Sequence, residues 1–451
     1  MYNCGPTPYD TQHIGNLSAA VFADILRRTL LYNDLEVKQV MNITDFGHLS
    51  SDADSGDDKM MQGLKREGLA VSMENMATLA EKYTQQFLDD VAKLGVDVSA
   101  IEYPRASKYV HAQIALIQTL AEKGYAYKID DGVYFDTSLF PEYGALGGIA
   151  DQSKSEERVT HNAQKKNPAD FALWKLNTKL GWDSPWGKGF PGWHIECSAM
   201  ARALLGEQID IHTGGIEHIS IHHNNEIAQS EAATGKKPFS QFWLHRNHIQ
   251  IDCHKISKSL GNTVYLSDIE EKGFHPLSLR YWLLSGHYTT PMNFTWQALH
   301  DAQNAFLKLH QRRLELMGIE GGEIDEVWQR QFHERINDDL DTPGAIAVLW
   351  SMMKDQTLSA ENFLATMLDF DRVLGLGLLS TETDILSTIQ KAIGMPISMR
   401  ELPESVRSLV VNREAERKEK NWSKADSLRE EILSEGYEIE DTENGPQLTK
   451  H

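Results

Sequence analysis

Three short segments of this chain gather residue types that do chemistry. His13-Ile14-Gly15-Asn16 stands directly after a strand and turn signal and directly before a helix signal. That places an imidazole and the unpaired N–H groups of a helix start at the carboxyl edge of a sheet, where a phosphate is readily held. A histidine at a helix start is also an ordinary surface cap, and the tetrapeptide alone does not separate the two readings. Lys255-Ile256-Ser257-Lys258-Ser259-Leu260-Gly261-Asn262 offers two lysines three apart among serines and glycine. They are point charges able to hold a triphosphate, or else part of a solvated basic turn. His222 and Glu226 lie four apart in His222-His223-Asn224-Asn225-Glu226-Ile227-Ala228-Gln229, on one face of an expected helix. They can supply two metal ligands, with Cys197 of Gly192-Trp193-His194-Ile195-Glu196-Cys197 adding a thiolate. The plainer alternative is an exposed polar pair and a separately buried cysteine.

Hydropathic period and turn chemistry give the elements that must position these residues. Tyr2 to Cys4 reads as a short strand, Gly5-Pro6-Thr7-Pro8 as a turn, and Ser18 to Tyr32 as a helix carrying Phe22, Ile25, Leu26, Thr29 and Leu30 on one face. With a strand over Glu36 to Ile43, this strand–helix–strand unit predicts a parallel α/β sheet. Residues 50–59 form an acidic loop whose spacing lacks the glutamate of a calcium loop. Glu74 to Leu94 is an amphipathic helix with Met76, Leu79, Tyr83, Phe87, Val91 and Leu94 inward. Lys154 to Pro168 reads as a polar loop inside an insertion. From about Trp296 the pattern is helical to the end, with Thr342 as an N-cap before Pro343 and a mixed-charge helix pair over Arg413 to Leu433.

Composition limits the rest. At 451 residues, the chain has room for several domains, and 41% hydrophobic with 24% charged residues is an ordinary globular balance. No run of about eighteen apolar residues could span a membrane. Three cysteines, Cys4, Cys197 and Cys253, exclude a disulfide framework. The first residues carry neither a basic nor an apolar signal region, so a cytoplasmic protein is expected. A formal net charge of −21 argues against indiscriminate coating of a polyanion but leaves room for a local basic groove.

These segments meet in one family. Cys4-Gly5-Pro6-Thr7-Pro8-Tyr9-Asp10, the His13–Asn16 motif, Asn42-Ile43-Thr44-Asp45 and Asp170-Phe171-Ala172-Leu173-Trp174-Lys175 resemble cysteinyl-tRNA synthetase. So do Trp182-Asp183-Ser184-Pro185-Trp186-Gly187-Lys188-Gly189, Pro191-Gly192-Trp193-His194-Ile195-Glu196-Cys197-Ser198-Ala199-Met200, the runs 222–229 and 255–262, and Asn421-Trp422-Ser423-Lys424-Ala425-Asp426. The resemblance implies an α/β fold, with a Rossmann-like parallel-sheet catalytic domain over 1–295, an insertion around 95–180, a helical bundle over 296–395 and an anticodon-binding end over 396–451. That C-terminal tRNA-binding region would be all-α, with Arg413, Arg417, Lys418, Lys420, Lys424 and Arg429 around Trp422. It implies an ATP-dependent ligase, monomeric, that makes cysteinyl-AMP and passes the cysteinyl group to cysteine tRNA. By position, Cys4, Cys197, His222 and Glu226 match the zinc ligands, and Gly5, Thr44 and Trp193 match the pocket for L-cysteine. Gly15, Gly214, Gly215 and Glu217 match the ATP site, where Mg2+ accompanies the nucleotide. His13, Asn16, Lys255 and Lys258 would act on the phosphates.

The chain departs from the family pattern at several places. Asn16 replaces a second histidine, Ile256 a methionine, Glu217 an aspartate and Asn224 an acid, while Cys253 occupies a glycine position and reads as a spare thiol. A cysteine:aminosugar ligase of mycothiol synthesis shares the same catalytic pattern but normally lacks the C-terminal region. A silent RNA-binding paralogue would not need both lysines and all four zinc positions.

Overall fold

A computed structural model describes residues 1–46, 59–147, 164–257, 261–379, 399, 402–442 and 445–450. Its centre is a five-stranded parallel sheet of β1 (Tyr2–Asn3), β2 (Gln39–Met41), β3 (Ile101–Glu102), β4 (Ile209–Gly215) and β5 (Ser240–Arg246), in the order β3-β2-β1-β4-β5. The chain runs outward from β1 to β2 and β3, then crosses back to the other side of β1. The crevice between the carboxyl ends of β1 and β4 is therefore the switch point at which ligands of such sheets bind.

Helix α1 (Ile14–Tyr32) returns the chain from β1. It begins before the expected Ser18 because the His13 side chain caps it, accepting from the Gly15 and Asn16 N–H groups at 3.1 and 3.3 Å. The helix expected over Glu74 to Leu94 runs Met73–Lys93, capped by Ser72, and all six residues of its expected apolar face are buried. The strand expected over Glu36 to Ile43 shortens to Gln39–Met41, where pairing on both sides is available.

Between β3 and α2 (Trp193–Leu205) come a helix over Val110–Glu122 and an antiparallel sheet of Ala126–Ile129, Gly132–Phe135, Phe171–Leu176 and Gly189–Pro191. This insertion has its own apolar core, which also takes Ile195 and Ala199 from α2 and Ala228, Ala232 and Ala233 from α3 (His222–Thr234). The insertion thus clamps the outer faces of α2 and α3. Much of the loop expected over Lys154 to Pro168, and nearly all of the acidic loop 50–59, lies outside the described residues.

Helices Trp296–Glu315, Glu326–Asn337, Thr342–Met352 and Ala360–Leu374 follow, and one apolar cluster runs from α1 through Phe306, Phe332 and Phe370 to Leu378. Asp341, not Thr342, is the N-cap of the third of these helices, accepting from the Gly344 N–H at 2.9 Å, and Pro343 stays in the first turn. The C-terminal helices are Glu404–Lys418 and Trp422–Ser434. The helical pattern stops there: Tyr437–Thr442 and Gly445–Lys450 form an antiparallel hairpin. Ile439 pairs with Leu448, and both enter a small separate core with Val406, Val410 and Ile432. The short apolar alternation of that hairpin was hidden among charged residues. Arg413 is not a free phosphate contact: it is buried and pairs with Asp441 through both terminal nitrogens at 2.9 Å. Trp422 stays exposed, with the Arg417 guanidinium 5.7 Å from its ring centre.

A buried ion network ties α1 to the helical region. Arg280, fully buried, donates to Asp24 Oδ2 at 2.7 Å and to the carbonyls of Leu94 and Leu374 at 3.0 and 2.6 Å. Arg28 shares the same Asp24 oxygen at 2.7 Å. Gly375, at φ 61°, must lack a side chain because a Cβ would sit 2.6 Å from Arg280 Nη2. Asp24→Ala should leave Arg280 buried without a counter-charge and lower stability by about 3–5 kcal/mol. Denaturant unfolding checks this; a loss below about 1 kcal/mol would show the network to be dispensable.

Candidate active site

Four donors converge under the switch point. Cys4 follows β1, Cys197 lies on α2, and His222 and Glu226 lie one turn apart on α3. Their ligand atoms all fall within 4.8 Å of one another. The exposed-pair alternative fails, since His222, Glu226 and Cys197 are all buried. His222 Nε2 and Glu226 Oε1 are 2.8 Å apart, an ion-pair distance between two buried groups. A buried carboxylate oxygen this close to an imidazole nitrogen shares a proton with it, and a cation bound in place of that proton would be met by both lone pairs. Two thiols, an imidazole and a carboxylate are also the donor chemistry of a tetrahedral zinc site.

Other histidines orient these donors. His194 Nδ1 and His222 Nδ1 are 2.9 Å apart, so a proton shared there leaves His222 Nε2 facing the cluster. His212 Nε2 meets Glu226 Oε2 at 2.7 Å, and His223 joins His245 at 2.8 Å while lying 3.4 Å from the Cys4 sulfur. Cys4, His212, His223 and Glu226 make a second foursome sharing two members with the first. Burial pushes the Glu226 carboxyl up, but the His212 and His222 imidazoles outweigh it and hold it down at about 2. The Cys197 thiol, taking a hydrogen bond from Cys4, comes down to about 7 despite its burial, a step toward the thiolate a metal needs. Sequence spacing gave no sign of His194, His212, His223 and His245 in this role. Of these, His194 and His223 stand directly beside Trp193 and His222, the residues that the sequence does mark.

Above the cluster opens a cavity of about 460 Å³. Cys4, Gly5, His13, Gly15, Asn16, Trp193, Gly215, Glu217, Lys255 and Ile256 all reach its wall. The Trp193 ring lies 4.5 Å from the His222 ring, between the four-donor cluster and the cavity, with Lys59 Nζ 5.5 Å from its centre. Gly5 donates its N–H to Asn42 Oδ1 at 2.9 Å, and a Cβ there would strike the Asn42 carbonyl. Thr44 and Gly214 are not on the wall. Thr44 is buried behind it, donating to Glu196 Oε2 at 3.0 Å. A Cβ on Gly214 would meet His218 Nδ1 at 2.5 Å.

The two phosphate-type motifs are tied together. The Ile14 N–H donates to the Val264 carbonyl at 3.0 Å, and His13 bridges to Tyr265 just beyond the Lys255–Asn262 loop. A Cβ on Gly15 would lie 2.9 Å from the His13 ring and 3.1 Å from Ile256. Because His13 Nδ1 accepts from the helix N–H groups, the neutral ring carries its proton on Nε2, as a hydrogen-bond donor. His13 is thus both the cap and a group at the cavity. Lys258 lies outside the described residues. The ends of its loop are held by one side chain: Asn262 accepts from the Ser257 N–H at 2.8 Å and donates to the Lys255 carbonyl at 3.1 Å. The loop hangs from a hairpin of Ile249–Ile251 and His254–Lys255, whose turn residues Asp252 and Cys253 both have positive φ, 49° and 63°. That explains why glycine suits position 253. Cys253 is exposed and free.

Known proteins share this architecture. The family described as "tRNA synthetases class I (C) catalytic domain" matches residues 1–304. A methionyl-tRNA synthetase of Mycobacterium tuberculosis, solved with methionyl-adenylate, superposes with a TM-score of 0.55 at 13% identity, covering 89% of this chain and 95% of that one. Agrobacterium radiobacter K84 agnB2 LeuRS, in a ternary complex with tRNA and LeuAMS, gives 0.61 at 11% identity, covering 86% and 85%. Those likenesses speak for the fold; with the family match they define a class I tRNA synthetase. Over nearly the whole length the chain is 42% identical to "Cysteine--tRNA ligase 1" of Burkholderia lata, covering 99% of this chain and 92% of that one. It is 37% identical to the "Cysteine--tRNA ligase" of Treponema denticola, covering 98% and 93%. The chain belongs to the cysteine–tRNA ligase family. Among its described residues, no helix is long and apolar enough to cross a membrane.

The Asn262 clamp yields a direct test. Asn262→Ala removes both ties of the loop, and losing two hydrogen bonds should speed tryptic cleavage after Lys255 and Lys258 by roughly 10–100-fold. Unaltered cleavage rates in limited proteolysis would show that the ties do not hold the loop.

Proposed function

We propose that this enzyme activates L-cysteine with ATP, forming cysteinyl-AMP and pyrophosphate, and then passes the cysteinyl group to the terminal adenosine of cysteine tRNA. The observation that carries the reading is the convergence of Cys4, Cys197, His222 and Glu226 directly beneath the cavity that His13, Glu217 and Lys255 line. These four residues would hold one zinc ion. Bound zinc supplies a soft acceptor for the substrate sulfur, a preference by which cysteine is told from serine far better than by pocket size.

The chain's own groups do the rest. The substrate carboxylate is the nucleophile, so no protein nucleophile is required. Trp193 walls the amino-acid pocket. Gly5 lets the backbone close on it, and Thr44 works from behind through Glu196. Gly215 keeps a side chain off the cavity wall where the nucleotide lies, Gly214 behind it makes room for His218 and His223, and Glu217 accepts from the ribose hydroxyls. The His13 Nε2–H and the Asn16 amide donate to phosphate oxygens, while Lys255 and Lys258 meet the charge that gathers on departing pyrophosphate with its Mg2+. The region after about residue 396 binds tRNA, with exposed Trp422 available for stacking on an unpaired base. We read the protein as a cytoplasmic monomer; its three cysteines are all free.

Cysteine-dependent ATP–pyrophosphate exchange, followed by transfer to a cysteine tRNA transcript, tests the function; exchange with serine should be absent. Metal analysis of purified protein should find one zinc per chain, lost together with exchange in Cys197→Ala. Equal zinc in wild type and variant would reject the ligand set. Lys258→Ala should slow adenylation on the order of 10²–10³-fold with cysteine affinity nearly intact. Rapid-quench measurement of an unchanged adenylation rate would remove Lys258 from the mechanism.

A further inference from the structure

Arg246, the last residue of β5, stands where the cavity wall passes into the protein interior. It is 6% exposed. Its Nη2 donates to the thioether of Met292 at 3.2 Å, a weak acceptor, and its enclosed Nε has no acceptor among the described residues. Among the described residues no carboxylate forms an ion pair with it, and burial alone pulls its pKa down to about 10. Arg280 shows the ordinary solution in the same chain: a buried guanidinium given Asp24 and two carbonyls.

An uncompensated buried charge is among the more costly features a fold can carry, so its retention needs a counter-charge from elsewhere. On its interior side Arg246 borders a small cavity of about 20 Å³ lined mostly by apolar residues such as Val21, Phe22, Leu283 and Leu284. That space holds about one water, which can accept a hydrogen bond but brings no charge. On its other side lies the large cavity, where Arg246 shares the wall with His13, Gly15, Asn16 and His248. Any counter-charge must therefore enter through that cavity.

We infer that Arg246 is an anion-recognition residue of the nucleotide cavity, compensated by the polyphosphate of bound ATP. The inference rests on the ATP-dependent function proposed above and adds to it a residue outside every motif that marked the site. The empty protein gives up stability here, and the nucleotide restores it.

The test uses the full-length chain with Arg246→Met, which keeps length and removes charge, and Arg246→Lys, which keeps charge and loses the planar fork. Equilibrium affinities are measured for ATP, ADP, AMP and adenosine, alongside thermal unfolding without ligand. Arg246→Met should bind ATP about tenfold more weakly, a factor typical of one lost charge-assisted contact. The loss should shrink from ATP through ADP to AMP and vanish for adenosine, and Arg246→Lys should recover most of it. The ligand-free Met variant should also unfold at a higher temperature than wild type. Should Arg246→Met not fold, Arg246→Gln takes its place in the series. Unchanged ATP affinity, or a loss as large for adenosine as for ATP, overturns the inference. Failure of the functional reading looks different: the wild type would then bind neither ATP nor adenosine, and this inference falls with it.

Discussion

Two thiols, an imidazole and a carboxylate enclosed within 4.8 Å of one another form a concentration of lone pairs and latent negative charge that an apolar interior does not tolerate unaided. A shared cation would resolve it, and much of the fold serves to bring the donors to that point. Cys4 arrives at the end of a central strand. α2 and α3 bring the other three, and the insertion's core presses both helices into place. His194 and His212 then fix which nitrogen and which oxygen face inward. A loss anywhere in this arrangement is felt at the cluster because each donor comes from an element anchored elsewhere.

The nucleotide side follows a different logic. Its groups are half-exposed or on loops, and precision comes from backbone ties. His13 caps α1 and bridges to residue 265, while Asn262 closes the lysine loop. The buried four-donor cluster and the loop-built side meet at one cavity, whose wall carries Cys4 together with His13 and Lys255. Trp193 stands between the two.

Two buried arginines mark the contrast between holding a fold and serving a ligand. Arg280 is given a carboxylate and carbonyls from three segments, and welds α1 to the helical region. Arg246 is given a thioether. The first placement favours the folded chain at all times; the second would favour it only once an anion is bound.

Local chemistry was legible in the sequence. The four-residue spacing of His222 and Glu226, the position of His13 ahead of a helix, the strand–helix–strand rhythm and the face of the helix from Met73 to Lys93 all follow from the helix period and the rules of helix starts. Those rules act between near neighbours, so the amino-acid order alone suffices for them. The resemblance carried Cys4 into the ligand set, but what surrounds the donors was decided by tertiary structure. The histidines behind the cluster come together only because β4, β5, α2 and α3 are laid side by side. Asp341 takes the cap from Thr342, and the charged C-terminal run ends in a hairpin whose Asp441 claims Arg413. Arg246 reads in sequence like any other cation. Its lack of a counter-charge among the described residues is a property of everything packed around it, and burial, unlike spacing, is set by the whole chain at once.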